Sequence, residues 1–243
     1  MTDYNARQQG IWDQEWSLGS PDEMLIPGHG DIRPSSSIVA FVDFLDANVQ
    51  KPLSEMDILD VGSGLGRNAL YLASRARTVH GIDYSATGIE RSNAEAERSG
   101  FSNVTFSIMD ATKPLPLPDG SYDTTIDSLS STSVQGAENR KAFAGNCTRL
   151  LKVGGLMLVR CVADIDTFET GLMRTHPGPD PNSSIWPGSN KFQKNFSLVE
   201  LLTLYEGLTP LQIRRESKTA QKMGRDITAT NWWAVLEKTG GSI

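Results

Sequence analysis

The sequence predicts an α/β protein built on a doubly wound, mostly parallel sheet, and three observations support this. Short apolar runs alternate with helical patterns along most of the chain. A turn rich in glycine follows the first run, and two neighbouring β-type runs close the sequence. Because strands joined through helices form right-handed crossovers, this alternation gives a parallel sheet with helices on both faces.

The individual elements follow from the same patterns. Strands are expected at residues 57–61, 78–83, 103–108, 122–127 and 155–162, and helices near 66–76, 86–99 and 137–151. Ser197 and Glu200 match a capping box, which predicts a helix through about Tyr205. The runs LTPLQIRRES and TATNWWAVLEK predict a C-terminal antiparallel hairpin, which brings the sheet to seven strands.

The chain divides into a core and two additions. Residues 51–243 form the core, and residues 1–50 precede it as a cap of helices. Residues 163–196 are rich in Pro, Gly, Asn and Ser, and they are too long for a plain connection inside a compact domain. They form either a functional lid or a mobile insertion, and we favour the lid.

Composition narrows the possible partners. Hydrophobic residues make up 38% and charged residues 21% of the chain, and neither a membrane-spanning run nor a signal-peptide pattern is present in the sequence, so we expect a cytoplasmic protein with no membrane partner. The net charge of −6 lies in residues 1–50, and no basic stripe exists to bind nucleic acid. A small-molecule substrate is therefore expected, for a monomer or homodimer.

The cysteines and histidines do not indicate a metal site. Cys147 and Cys161 fall in a predicted helix and a predicted strand without metal-ligand spacing, which favours buried, reduced thiols. The three histidines, His29, His80 and His176, are widely scattered. We expect no metal.

The most informative motif is ILDVGSGLGRN at residues 58–68. Gly62, Gly64 and Gly66 alternate between a strand and a helix, so bare backbone can approach a ligand. A dinucleotide fingerprint, G-x-G-x-x-G, would seat a pyrophosphate here, but the third glycine comes one residue early. Asp60, two residues before the first glycine, would repel a pyrophosphate and suits a ligand with an ammonium group. A second acid, Asp83, ends the next apolar run.

This order of acid, G-x-G-x-G and second acid resembles the class I methyltransferases that use S-adenosyl-L-methionine (SAM). The resemblance covers roughly residues 51–243 and includes the Gly154-Gly155 turn before the fifth strand. It implies a Rossmann-like fold with SAM as cofactor. A purely structural strand-to-helix turn is the alternative interpretation of the glycines, and the downstream matches disfavour it.

The resemblance also assigns residues to the cofactor. The glycine turn would contact its amino acid and ribose portions, Asp83 its ribose hydroxyls, and Asp127 its ammonium group. Asp110 and Ala111 would contact adenine, although Asp110 could instead cap a turn before Lys113. The residues expected to bind the cofactor are Arg33, Asp60, Gly62, Ser63, Gly64, Gly66, Asn68, Asp83, Tyr84, Asp110, Ala111, Asp127 and Ser128.

The activity implied is methyl transfer to a small-molecule acceptor, through N, O, S or C. The D/N-P-P-Y/F motif of many nucleic-acid amino methyltransferases is absent from YDTTIDSLSSTSV, residues 122–134. Methyl transfer depends on orientation and desolvation, and it needs a base only if the nucleophile arrives protonated. His29 and His176 are the candidate bases, and Arg174 or Arg160 could hold a substrate carboxylate.

Two alternatives remain open from the sequence. The same cofactor pocket could serve a cyclase or lyase that acts on the aminobutyryl arm of SAM and releases methylthioadenosine. The chain could also be a non-catalytic SAM-binding protein, although the glycine turn and Asp83 are intact.

Overall fold

The computed structural model describes residues 4–18, 33–222 and 225–240. Its helices are α1 (Tyr4–Ser17), α2 (Ser36–Asn48), α3 (Arg67–Ala73), α4 (Ala86–Arg98), α5 (Ala137–Leu150), α6 (Thr167–Thr175) and α7 (Leu198–Leu204). Its strands are β1 (Asp57–Val61), β2 (Thr78–Asp83), β3 (Val104–Ile108), β4 (Tyr122–Ser128), β5 (Leu151–Val162), β6 (Ser183–Ile185), β7 (Phe192–Lys194), β8 (Thr209–Lys222) and β9 (Arg225–Glu237). Short 3₁₀ turns lie at Leu53–Glu55 and Ser131–Ser133.

The main sheet has seven strands in the order β3-β2-β1-β4-β5-β9-β8. Strands β1 to β5 are parallel, whereas β9 runs antiparallel to β5 and β8 antiparallel to β9. The predicted fold class is therefore confirmed, including the antiparallel C-terminal hairpin. Because the chain order reverses between β1 and β4, the carboxyl ends of these strands border a crevice where such sheets bind ligands.

The start of β5 differs from the prediction. The strand begins at Leu151, which pairs with Tyr122, and the ladder then skips to Leu156 opposite Thr124. Gly154 has a φ of +77° at this irregularity, and a Cβ on Gly155 would lie 2.9 Å from the Asp123 carbonyl oxygen. The two glycines thus form a bulge inside the strand instead of a turn before it.

Hydrophobic clusters cover both faces of the sheet. Helices α2, α3 and α4 pack on one face, and α5 and α7 on the other. Since side chains alternate along a strand, β5 directs Leu156 and Leu158 to the α2 face but Met157 and Val159 to the α5 face. Arg160 continues the series that faces α2.

The C-terminal hairpin extends beyond the carboxyl end of β5. Pairing between β5 and β9 stops at Val162 opposite Asn231, whereas β8 and β9 remain paired as far as Lys222 and Arg225. The outer half of the hairpin therefore rises above the edge of the sheet, where it forms a wall beside the crevice.

Residues 163–196, predicted as a lid, contain regular structure. Asp166 caps α6 by accepting hydrogen bonds from the backbone N–H groups of Phe168 and Glu169. Strands β6 and β7 follow as a small antiparallel sheet. Arg140 on α5 forms an ion pair with Asp180 at 2.5 Å, which anchors this segment to the core.

The cysteines and His80 lie on a helix and two strands of the core. Cys147 and Cys161 are buried free thiols. His80 is partly buried and hydrogen-bonds the hydroxyls of Tyr122 and Ser107 at 2.9 and 3.0 Å. In the described ranges, no group of three or more His, Cys, Asp or Glu side chains could hold a metal ion, and no helix has the length and apolar character needed to cross a membrane.

Candidate functional site

A cavity of about 720 Å³ lies at the carboxyl ends of the central strands. Its size is typical of a small-molecule site, roughly 300–1,000 Å³. The glycine turn and the ends of β2, β4 and β5 form its floor, α1 and the start of α2 contribute further walls, and the β6–β7 and β8–β9 hairpins complete it.

The glycine turn needs bare backbone for two reasons. Gly62, Gly64 and Gly66 have φ values of +75°, +56° and +76°, a region that side chains disfavour. Neighbours also crowd the first two: a Cβ on Gly62 would lie 2.2 Å from the Ser130 hydroxyl oxygen, and one on Gly64 would lie 3.0 Å from the ring of Trp16. The turn is therefore held between the β4 exit and the cap helix.

Gly66 and Asn68 position α3 behind the turn. A Cβ on Gly66 would lie 2.7 Å from the Phe106 ring, so this glycine permits close packing and does not line the cavity. The Asn68 side-chain Oδ1 atom accepts a hydrogen bond from the Ser35 backbone N–H at 3.0 Å. Asn68 and Arg33 both line the cavity, next to the first turn of α2.

Asp83 lies at the end of β2 with its carboxylate at the cavity wall. One carboxylate oxygen accepts the Gly64 N–H and the other accepts the Ser85 N–H, each at 2.9 Å. Burial raises its pKa to about 6, although these hydrogen bonds act in the opposite direction. Tyr84, the next residue, also lines the cavity.

Asp60 lies beneath the turn, outside the cavity lining. Its Oδ2 atom is buried and has no hydrogen-bond partner among the described residues. Burial, followed by the nearby charges of Asp83 and Asp127, raises the pKa of Asp60 to about 7, and Arg67 opposes the change. Buried acids at neighbouring strand ends would be stabilised by a cationic ligand.

Asp110 both caps a turn and borders the cavity. Its Oδ1 atom accepts hydrogen bonds from the Thr112 N–H and hydroxyl at 2.9 and 2.7 Å, which is the capping role considered above. The residue nevertheless lines the cavity together with Ala111. Capping by one oxygen leaves the other available at the wall.

The cap helix α1 closes the cavity from above and joins it to the β6–β7 hairpin. The Gln8 side chain donates to the Asn190 carbonyl at 3.2 Å and accepts from the Phe192 N–H at 3.1 Å. Trp12 and Trp16 stack with ring centroids 5.1 Å apart. Their i, i+4 spacing places both rings on one face of α1.

Comparisons with known proteins identify the family. Residues 52–196 match the family described as "Methyltransferase domain". The chain belongs to this family. Among curated proteins it is 33% identical over 125 residues to the 2-heptyl-1-hydroxyquinolin-4(1H)-one methyltransferase of Mycobacteroides abscessus, an alignment that covers 51% of this chain and 54% of that protein. The chain spans about half the length of the curated relatives it matches.

Solved structures share the fold over nearly the whole chain. One, from work on the conversion of a disulfide bond into a thioacetal group during echinomycin biosynthesis, superposes with a TM-score of 0.70 at 23% identity and covers 96% of this chain and 93% of that one. The N-methyltransferase NodS from Bradyrhizobium japonicum WM9, solved with S-adenosyl-L-homocysteine, gives 0.66 at 13% identity and covers 96% and 99%.

The predicted cofactor, SAM, is confirmed by membership of this methyltransferase family. The charge of the site fits this cofactor. Asp60 and Asp83 are buried acids with raised pKa values, and a ligand with a sulfonium and an ammonium group would provide a cationic partner for them.

Asp127 is placed differently from its expected contact with the cofactor. Its side chain points to the α5 face and does not line the cavity of the methyltransferase domain. One oxygen accepts the N–H groups of Ser130 and Ser131 at 3.0 and 2.9 Å, and the other accepts the Tyr205 hydroxyl at 2.8 Å. Asp127 thus shapes the β4 exit loop, and Ser128 reaches the cavity in its place.

Of the candidate catalytic residues, the two that the structure describes, Arg174 and His176, do not line the cavity. His176 is exposed, with Nδ1 3.0 Å from the Thr175 hydroxyl. Arg174 lines a separate cavity of about 360 Å³ between α6 and the C-terminal hairpin, because α6 runs along the outer side of that hairpin. His29 lies outside the described residues.

Several lining residues were not predicted. Lys191 lies with its ammonium 4.6 and 4.9 Å from the ring centroids of Trp12 and Trp186. Lys218 and Asn231 reach the cavity from the C-terminal hairpin. No local sequence pattern marks these residues as part of a site, and the overhang of the hairpin brings Lys218 and Asn231 to it.

Proposed function

We propose that this protein transfers the methyl group of SAM to a small-molecule acceptor. The observation that carries the proposal is one cavity in which the glycine turn, Asp83 and Asp110 form one end and a separate set of residues on β5, β8 and β9 forms the other. The M. abscessus relative is named for methylation of a small heterocycle. The proposal leaves the acceptor atom, N, O, S or C, unassigned.

The residues at the first end would hold the cofactor. The backbone of the glycine turn would contact its amino acid and ribose portions, Asp83 would accept its ribose hydroxyls, and Asp110 with Ala111 would contact adenine. Asp60 would stabilise the positive charge from beneath the turn. SAM supplies an activated methyl group when bound.

The protein's contribution to the reaction would be orientation and exclusion of water. The Trp16 ring packs against the glycine turn, and the Trp12 ring on the same helix stacks against Trp16. The cap is fastened to the β6–β7 hairpin by Gln8, so the cavity is covered from two sides. A dry, preorganised site favours displacement at a sulfonium carbon, where charge is lost in the transition state.

An Asp83→Asn variant tests the cofactor end. Hydrogen bonds to a charged group contribute about 1.5–3 kcal/mol, so we expect S-adenosylhomocysteine to bind roughly 10- to 100-fold more weakly by calorimetry. Asp119→Asn is the matched control, because the Asp119 side chain is 77% exposed and pairs only with Arg149 among the described residues. Equal binding by Asp83→Asn and wild type would rule out this placement of the cofactor.

Product analysis tests the reaction itself. Purified protein incubated with SAM alone should turn over slowly or not at all, because the acceptor is missing. Accumulation of methylthioadenosine would instead indicate a cyclase or lyase, and absence of S-adenosylhomocysteine binding would contradict the whole functional proposal.

A further inference from the structure

The second end of the cavity is basic. Arg160 on β5, Asn231 on β9 and Lys218 on β8 all line it, on three neighbouring strands of the sheet. The strand register places them on one face of the sheet. On β9, Asn231 lies two residues from Trp233, which pairs with Arg160, and two residues from Ala229, which pairs with Lys218. Residues two apart in a strand share a face, and paired residues do too. The three side chains therefore form one surface.

Arg160 is half-buried at the cavity wall and lacks a counter-ion among the described residues. Its Nε atom is buried without a hydrogen bond, and the side chain forms no ion pair with any residue in the described part of the chain. A cation that is partly removed from water without a counter-ion is destabilising. Lys218 likewise has no hydrogen bond or ion pair within the described ranges.

The nearest acid is already engaged. Glu216 accepts hydrogen bonds from Arg214 at 3.0 Å and from the Ser37 hydroxyl at 3.2 Å, so it offsets the positive charge only in part. Burial, followed by the charges of Arg160 and Arg67, lowers the pKa of Lys218, and burial with Arg67 lowers that of Arg160. The surface thus has an unbalanced positive charge.

We propose that Arg160 and Lys218, with Asn231 between them, bind an anionic group of the methyl acceptor, a carboxylate or a phosphate. The guanidinium would hold two oxygens of such a group, the ammonium would add a point charge, and the amide would donate a further hydrogen bond. The inference rests on the proposed function, because it assigns the acceptor to this end of the cavity.

Position favours the acceptor over the cofactor as the source of the anion. The cofactor's amino acid portion would lie on the glycine turn after β1. Strand β5 is two strand spacings from β1 and β8 is four, which at about 4.8 Å each gives roughly 10 and 19 Å. The cofactor's own carboxylate is the competing source. The experiment below separates the two.

The test uses Arg160→Met and Lys218→Met, with Lys141→Met on the exposed surface of α5 as the control. The probes are benzoate and phenyl phosphate, each compared with its neutral counterpart, methyl benzoate or phenol, by calorimetry on protein saturated with S-adenosylhomocysteine. We expect at least one anion to bind wild type and Lys141→Met and to lose at least tenfold affinity in both other variants. Neutral counterparts should bind no better to wild type than to the variants.

Two further readouts make the result decisive. S-adenosylhomocysteine should bind all the variants within about twofold of wild type, and a tenfold loss in Arg160→Met or Lys218→Met would assign the cluster to the cofactor and overturn the proposal. Arg160→Met should also raise the melting temperature of the ligand-free protein, because it removes a half-buried cation that has no counter-ion among the described residues. A lower melting temperature would mean that Arg160 has a structural role.

The proposal is overturned if neither anion binds, or if the anions bind every variant equally. Its failure can be told apart from failure of the proposed function. In the first case wild type still binds S-adenosylhomocysteine while the anions do not discriminate between the variants, and in the second it does not bind S-adenosylhomocysteine at all.

Discussion

A Gly62→Ala substitution tests the close approach between the glycine turn and the β4 exit loop. Two costs combine at this position. An alanine at a φ of +75° costs about 1–2 kcal/mol. The new Cβ would also lie 2.2 Å from the Ser130 hydroxyl oxygen and 2.6 Å from its Cβ, and overpacking of this kind costs typically about 1–3 kcal/mol.

Rotation of the Ser130 hydroxyl cannot relieve this contact, because the Cβ stays in place. The backbone of the exit loop would have to move, yet Asp127 fixes it through the N–H groups of Ser130 and Ser131. We therefore expect a free energy of unfolding about 2–5 kcal/mol lower in urea titrations. Movement of the turn should also weaken S-adenosylhomocysteine binding at least tenfold, or about 1.4 kcal/mol.

Gly100→Ala is the matched control. Gly100 has nearly the same φ, +73°, but a Cβ there would meet nothing within 4 Å. It should lose only about 1–2 kcal/mol of stability and leave ligand affinity unchanged. Ser130→Gly should restore part of both losses when combined with Gly62→Ala. Equal losses for the two alanine variants, or no rescue by Ser130→Gly, would refute the steric argument.

Three other predictions concern the acids and the cap. The pKa of Asp60 is raised from 3.8 to about 7, so between these pH values the folded protein retains a proton that the unfolded chain releases. Stability should therefore fall as pH rises from about 4 to 7. Asp60→Asn should reduce this pH dependence of the melting temperature in thermal melts. Gln8→Ala removes two hydrogen bonds between cap and hairpin and should cost about 1–3 kcal/mol in urea titrations, whereas the exposed Gln14→Ala should cost almost nothing. Tyr205→Phe should lower stability by about 1–3 kcal/mol without changing S-adenosylhomocysteine affinity, and a tenfold loss of affinity would mean that Asp127 serves the cofactor directly.

The central sheet was predictable because its strands are buried on both faces. Strands β1 and β2 occupy the residues predicted, 57–61 and 78–83, since a parallel strand under helices on both faces reads as a short continuous apolar run. The start of β5 was missed because Gly154 and Gly155 read as a turn. Pairing of Leu151 with Tyr122 around the bulge depends on the neighbouring strand and has no local signal.

The small strands after β5 were missed for a different reason. Each of β6 and β7 has three residues, too few for a period of two to be recognised. The surrounding Pro, Gly, Asn and Ser residues indicated loop, and the contact with Gln8 on α1 joins positions more than 180 residues apart. Only the tertiary structure shows that cap and hairpin cover the cavity together.

The predicted strand ends located much of the cofactor end of the cavity. Because side chains alternate between the two faces of a strand, however, an acid at a strand end does not always face the cavity. Asp83 reaches the cavity, whereas Asp127 belongs to the series that faces α5. Whether a given strand face borders the cavity depends on which helices cover that face, and the sequence of one strand does not show this.

The two ends of the cavity have opposite electrostatics, and this bears on how the proposed reaction would select its acceptor. Burial raises the pKa values of Asp60 and Asp83, and the charge of Asp83 adds to the effect on Asp60, so they favour a cationic cofactor. Desolvation, followed by neighbouring cationic side chains that include Arg67, lowers the pKa values of Arg160 and Lys218, so they favour an anion. A neutral molecule of the same shape would gain from neither end. An acceptor with one anionic group would be oriented with that group on β5 and β8 and its remaining atoms toward the glycine turn, where the methyl group would be presented.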